Sequence, residues 1–445
     1  MRLPVLVVTF VGLLPLSAQQ QEVAAAAPKV VSLTPTDRGE VDAAKSTQLV
    51  VVFDRAMNTG GFSICGGGPD FPKLNGRPRW QDAKTLVVDV ALVPDHRYVM
   101  SLNGPGASNF RSADGVALAP VSWTFVTLPT ELRPAQEQRA RNERGLELLL
   151  DTLRERYSYY DRRVQDWARL RHDHQEAVLA ARSDRGFAAA AAHMLRATED
   201  LHLYLKVGDD VFAAGSRAVD SLWRRQRVER YVRLAAVGKN ALAGRTEDGI
   251  GYLMVAAWND DVDLAAIDQV MAGFADTVAL VIDARPNSGG DESLAQQVAG
   301  WFVTGTKGYA KDRFRKEAGP DGFTRWIERQ VIGHGEARHY GKPIAVLTSR
   351  YVMSSNESFV LMLRQADDCV VVGQTTFGSS GNPVPHDLGN GVIAMVPSWQ
   401  DATLDGVVFE GKGLAPDHKV ECTATDLMQK DPILERALEL LRARR

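Results

Sequence analysis

Short β-rich runs separated by turn clusters fill residues 29–128: 29–33, 47–53, 85–90, 98–102 and 121–126. The clusters include Asn58-Thr59-Gly60-Gly61 and Asn103-Gly104-Pro105-Gly106. Several short strands at this spacing, with no helical period, predict a β-sandwich of about 100 residues. After a linker at 129–136 the period changes. Leu146, Leu149, Leu150 and Leu153 fall at i, i+3, i+4 and i+7, the stripe of an amphipathic helix. Further helical stretches around 166–182 and 185–197 complete a helical segment over 137–207. From residue 248 strands (250–256, 278–283, 344–348, 369–373) alternate with helices (one bearing Leu264, Ile267, Met271 and Phe274, then 294–303 and 356–365). That alternation predicts an α/β layer over 248–445 with a largely parallel sheet. The last helix has Asp431 as N-cap, Pro432 at N1, and Ile433, Leu434, Ala437, Leu438 and Leu441 on one face.

The leader differs from all of this. Residues 1–18, MRLPVLVVTFVGLLPLSA, place Arg2 before an apolar stretch (5–14) and end on Ser17-Ala18. The stretch is shorter than the roughly 20 residues needed to span a bilayer, so it reads as a secretory signal peptide, with an uncleaved anchor as the alternative. No cysteine follows it for lipid attachment, which predicts a secreted or periplasmic protein. No later run spans a membrane without charges, so no integral membrane segment is expected once the leader is removed. The 445 residues carry 52 basic and 55 acidic side chains, a formal charge of −3. Without a basic excess, nucleic acid and anionic membranes are poor candidate partners. Cys65, Cys369 and Cys422 are too few and scattered for a zinc cluster, while one disulfide with a thiol left over stays open.

Four places could carry chemistry. Ser354-Ser355-Asn356-Glu357 before an apolar run reads as a capping box, with Ser354 as N-cap and Glu357 at N3. The same serine, at a helix N-terminus after a strand, stands beside unpaired N–H groups that could stabilise an oxyanion. The turn Asn287-Ser288-Gly289-Gly290 follows a buried strand ending at Asp283, and its glycines let backbone N–H groups approach a ligand. Neither GxGxxG nor GxxxxGK[ST] is present, so no nucleotide cofactor is implied. Asp283 and Arg285 read as a structural ion pair or turn anchors. His202 closes a helical stretch, and a lone histidine is more often structural than catalytic. His172 and His174, at i and i+2, do not share a helix face and read as surface residues rather than metal ligands. Glu410, followed by two glycines and Pro416-Asp417, lies in a turn-rich connection into a strand.

Taken in order, "TEDLHLYL", "LVIDARPNSGGDES", "VLTSRYVMSSNES", "VVGQTTFGSSGNP" and "FEGKGLAPDHKV" resemble the C-terminal-processing and tricorn-core family of serine peptidases over residues 137–445. The resemblance implies a ClpP/crotonase-like spiral α/β core acting on a peptide or protein substrate. It implies Ser354 as nucleophile, His202 as base and Glu410 as the carboxylate orienting the imidazole. The oxyanion hole would use the N–H of Ser355 with that of Gly289 or Gly290. Where tail-specific members place a lysine base, 25 residues after the nucleophile, this chain has Ser379; where tricorn has an assisting serine before the histidine, it has Leu201. Only 47 residues (203–249) separate the histidine block from the next core strand, too few for a PDZ module. In the first domain, "SLTP", "VVFDRAM", "LVPDHRYVMSLNG" and "WTFVT" resemble bacterial Ig-like domains, implying a multidomain chain with an adhesive or spacer module in front. Imidazole, with a pKa near 6.5, can activate a serine hydroxyl at neutral pH. The rival readings are a non-catalytic binding protein on the same fold, like the retinoid-binding repeats of the eye, or an adhesive protein working through the Ig-like domain.

Overall fold

The computed structural model describes residues 26–104, 106–216 and 219–444. The leader read at 1–18 lies outside the described residues. The described residues form two compact units, one drawn from within 26–37, 41–93 and 98–125, the other from within 38–40, 94–97 and 126–444.

In the first unit, strands Val30–Thr34, Gln48–Phe53 and Thr85–Ala91 form a sheet completed by Lys73–Leu74 and Arg79–Trp80. A second sheet takes Glu40–Val41, Val121–Thr127, Arg97–Leu102 and Ile64–Cys65. Alternate positions of the long strands are buried, as the period-2 pattern requires. Leu49, Val51, Phe53, Leu86, Val88, Tyr98, Met100 and Trp123 pack into one core. The five expected strands are all present, and the four two-residue strands are additions too short to leave a pattern.

In the second unit the helical segment is built from Ala135–Arg156, Trp167–Leu179 and Asp184–Leu195. Leu146, Leu149 and Leu153 are buried, and Asn142, also buried, donates from Nδ2 to the Ala181 carbonyl at 2.8 Å. These helices share a core with Leu203 and Leu205 and with Leu388, Val392, Ala394 and Val396 from far along the chain. The link is a four-stranded sheet in the order Asp210–Ala213, Tyr204–Val207, Ile393–Pro397, Pro383–Asp387.

The main sheet has seven strands in the order Arg233–Val237, Ala241–Arg245, Ile250–Val255, Ala279–Asp283, Ile344–Thr348, Cys369–Gly373, His418–Lys419. From Ile250–Val255 onward every pairing is parallel. The first two strands pair antiparallel, so the sheet begins before residue 248, where the strand–helix alternation starts. They escaped the sequence pattern because small and basic residues (Ala235, Ala236, Gly244, Arg245) interrupt any apolar run. Strands 279–283 and 344–348 are buried at every position, the signature of parallel strands covered on both faces.

The last helix, Pro432–Arg442, buries the five expected apolar residues, and the Asp431 side chain caps it by accepting from the Leu434 N–H. Arg285, fully buried, donates to Asp283 Oδ1 (Nε, 2.8 Å) and to Asp431 Oδ1 (Nη1, 2.8 Å). The structural role read for Asp283 and Arg285 therefore extends to the C-terminal cap, and Tyr252 adds a hydrogen bond to Asp283 Oδ2 at 2.8 Å. Removing Arg285 leaves the buried Asp283 and Asp431 carboxylates without the guanidinium that bridges them. Arg285→Met is expected to lower the unfolding free energy by about 3–5 kcal/mol, measured by urea denaturation. A loss near zero would show that the triad can be replaced by packing.

Candidate active site

Strand Ile344–Thr348 runs through a short turn into helix Ser355–Leu363, and Ser354 stands at the junction with φ 57° and ψ −139°. An L-residue rarely occupies that region, and holding it there costs about 1–3 kcal/mol. The conformation turns the serine hydroxyl out of the helix axis, so Ser354 makes no side-chain cap bond. The capping box expected for Ser354 and Glu357 is thus not formed. Glu357 is fully buried and its carboxylate turns away, accepting from the Gly378 N–H (2.8 Å), the Ser379 N–H (3.1 Å) and the Thr376 hydroxyl. Ser354 instead gives its own N–H to the Ser379 carbonyl at 2.9 Å.

His202 arrives on a turn after the helix Asp184–Leu195, where Glu199 has φ 51°. Its backbone N–H donates to Asp200 Oδ1 at 2.8 Å, and the buried Asp200 takes the Tyr157 hydroxyl on Oδ2 at 2.7 Å. The imidazole Nε2 lies 3.1 Å from Ser354 Oγ, and Nδ1 lies 3.0 Å from Ser379 Oγ. With Nε2 as the acceptor that a general base needs, Nδ1 carries the hydrogen and donates to Ser379.

The orienting bond that the resemblance implied for Glu410 is therefore made by Ser379. Glu410, its side chain 3% exposed, is held one layer back: Oε2 accepts from the Ser380 N–H at 2.7 Å and Oε1 from Arg163. The Tyr159 hydroxyl, 2.8 Å from Ser380 Oγ, braces the same turn. Burial, reinforced by Asp200, pushes the Glu410 carboxyl up to about 8 despite the guanidinium. Burial likewise pushes Glu357 up to about 7.

The glycine turn lies against Ser354. A Cβ on Gly289 (φ 109°) would come within 2.8 Å of Ser354 Cβ, and one on Gly290 (φ 134°) within 1.9 Å of the Trp258 carbonyl oxygen. Of the two candidates left open, the Gly289 N–H is already given to Asn287 Oδ1 at 2.8 Å. Among the described residues no acceptor takes the N–H of Gly290 or of Ser355, and both line the same cleft as Ser354 and His202. Asn356, fully buried, fixes the turn by donating to the Ala284 and Asn287 carbonyls, each at 2.9 Å. Asn287 and Asn356 carried no sequence signal beyond their place beside the motifs. Ser379 did carry one, as the residue standing where a lysine base was looked for.

The other candidates do not join this site. His172 is exposed, and His174 packs on His193 with ring centroids 5.5 Å apart. Among the described residues no group of three or more His, Cys, Asp or Glu is arranged to hold a metal ion. All three cysteines are free thiols, so the disulfide left open by the sequence is not formed.

A serine on a strained strand-to-helix turn, an imidazole within hydrogen-bond reach and two uncommitted N–H groups on residues lining the same cleft fit a serine hydrolase type of site. Residues 249–420 match the family model of peptidase family S41. The protein is a serine-type peptidase whose core resembles that family. Its fold is similar to that of a putative peptidase from Parabacteroides merdae, with a TM-score of 0.60 at 22% identity over 67% of this chain and 96% of that one. Mature CPAF is also similar, with a TM-score of 0.52 at 12% identity over 69% of this chain and 97% of that one. The matched family region holds Ser354, Ser379, Glu410 and both glycines, but His202 lies before it.

Two outcomes follow from the geometry. Ser379→Ala removes one neutral hydrogen bond from His202 and is expected to slow reaction of Ser354 with a fluorophosphonate by roughly three- to tenfold, followed by fluorescence in gel. Glu357 binds its proton more tightly folded (about 7) than at its ordinary value of 4.5. The folded state thus holds more protons, and this contribution to stability is lost as pH rises from about 4.5 to about 7. Denaturation at pH 5 and pH 8 is expected to show lower stability at pH 8, with a shallower fall in Glu357→Gln.

Proposed function

We propose that the protein hydrolyses peptide bonds by acyl transfer, with Ser354 as nucleophile and His202 as general base. The observation that carries this reading is the contact of 3.1 Å between His202 Nε2 and Ser354 Oγ beside two uncommitted N–H donors. As Ser354 attacks the carbonyl carbon of a peptide, its proton passes to Nε2. The tetrahedral oxyanion takes the N–H groups of Gly290 and Ser355. The imidazolium then returns the proton to the leaving amine, and water repeats the sequence to release the acyl group.

Ser379 fixes the tautomer, and Glu410 acts through the Ser380 turn as a positioning residue. A hydroxyl on Nδ1 stabilises the imidazolium less than a carboxylate would, since hydrogen bonds to ionised partners are about twice as strong as neutral ones.

The rest of the proposal is architectural. Export is assigned to the leader at 1–18, and the first unit is read as an Ig-like spacer or adhesive module. Residues 203–249 form the hairpin of Tyr204–Val207 and Asp210–Ala213, the helix Arg225–Val228 and two strands of the main sheet. That use of the segment supports a peptidase without a PDZ module.

The test is chemical. A fluorophosphonate is expected to label Ser354, located by mass spectrometry, and Ser354→Ala and His202→Ala are expected to abolish labelling. Undiminished labelling in Ser354→Ala would sink the assignment of the nucleophile.

A further inference from the structure

The two N–H donors of the cleft stand on separate elements. Gly290 belongs to the turn after strand Ala279–Asp283, and Ser355 is the first residue of helix Ser355–Leu363. An oxyanion is held well only when both donors point at one spot, so the turn must be fixed against the helix. One side chain makes that link directly. Ser355, 6% exposed, donates from its hydroxyl to the Gly290 carbonyl at 2.9 Å, across 65 positions of sequence. Among the described residues no other donor reaches that carbonyl.

Trp258 holds the same glycine from the opposite side. Its N–H donates to the Gly289 carbonyl at 3.1 Å, and its carbonyl accepts the Asp291 N–H at 2.7 Å. In a planar trans peptide the C=O and the N–H point in opposite directions. The Gly290 N–H is therefore turned away from Trp258, and the Gly290 carbonyl is turned away from it as well, toward Ser355. Both peptide planes that flank Gly290 are pinned, the first by Trp258 and the second by Trp258 and Ser355 together. The pinning matters because Gly290, at φ 134°, has no side chain to restrict its own rotation. The indole closes the circuit: buried Trp258 donates from Nε1 to Asn356 Oδ1 at 3.2 Å, one residue beyond Ser355.

We propose that the Ser355 hydroxyl positions the oxyanion hole, holding the Gly290 N–H in register with the N–H of Ser355 itself; the role rests on the hydrolase reading of the same site. A serine that served only to start a helix would bond within its own first turn. This one bonds to the residue that carries the other donor. Without the hydroxyl the second peptide of Gly290 is held at one end only. The loss then falls on stabilisation of charge on oxygen and leaves His202 untouched.

Two probes that differ in one atom read this out: a fluorophosphonate and its P=S analogue, since sulfur is a weak hydrogen-bond acceptor. Rates of reaction at Ser354 are measured against pH in the unmutated protein and in Ser355→Ala. The oxygen probe is expected to react about tenfold slower in the variant and the sulfur probe less than about threefold slower, against a loss of about 10²–10³ for removing a donor outright. The midpoint of the pH profile, which reports the imidazole, is expected to stay in place. Equal slowing of both probes, a moved midpoint or no slowing at all overturns the role. Ser355→Cys, which keeps the size and weakens the donor, carries the comparison if Ser355→Ala does not fold. Ser354 labelled at the same rate with and without the hydroxyl removes the positioning role and keeps the hydrolase. No labelling of the unmutated protein by either probe overturns the hydrolase reading, and this role with it.

Discussion

The strained backbone of Ser354 is the constraint on which the site depends. At φ 57° the residue cannot rest in an ordinary helical start, and its hydroxyl is free for His202 only because of that conformation. Neighbouring contacts over-determine it. The Ser354 N–H is tied to the Ser379 carbonyl, and its carbonyl accepts the Glu357 N–H at 2.7 Å. Gly289 packs so close beneath that no side chain fits there without displacing the serine. One hydrogen bond in this set, Ser354 N–H to Ser379, also fixes the residue that orients the imidazole. Ser354 and His202 are thus referenced to the same turn at residues 378–380.

Behind that turn stands a layer of buried carboxylates rather than a carboxylate on the imidazole itself. Glu357 gathers the N–H groups of Gly378 and Ser379, and Glu410 takes that of Ser380. Three successive amides are thereby fixed by two acids. Desolvation raises both acids above their ordinary value. A permanent negative charge on Nδ1 would make the histidine a stronger base, and here that charge is withheld. Under the proposed mechanism, acylation leans more on the two N–H donors and on binding energy than on the basicity of the imidazole.

How much of this the sequence declared depends on the kind of signal. Buried parallel strands such as 279–283 and 344–348 read directly, because continuous apolar runs have few other meanings. Ser354, His202 and the paired glycines were legible as spaced blocks. Glu357 was misread because a glutamate three residues after a serine matches a cap. Nothing local says that it is fully buried and turned toward a loop some twenty residues on. Glu410 was given the role beside the histidine because sequence order cannot distinguish a contact with Nδ1 from one with the Ser380 amide behind it. Ser379 was seen only as a missing lysine, since a hydroxyl has no pattern of its own.

His202 lies before the segment that matches the family, at the end of the helical region, so the base must be delivered to the nucleophile by packing. The delivery is a sheet. Two residues after His202, Tyr204 pairs with Met395, and the strand Ile393–Pro397 pairs in turn with Pro383–Asp387, which begins just past the turn that holds Ser379. Any slip of that register by one residue would exchange the faces of the strand and carry the imidazole away from both serines. The Tyr157–Asp200 bond secures the same turn from the helical side, its tyrosine being the residue at which helix Ala135–Arg156 stops. The helical region and the late strands therefore set the distance between His202 and Ser354 on which the proposed proton transfer depends.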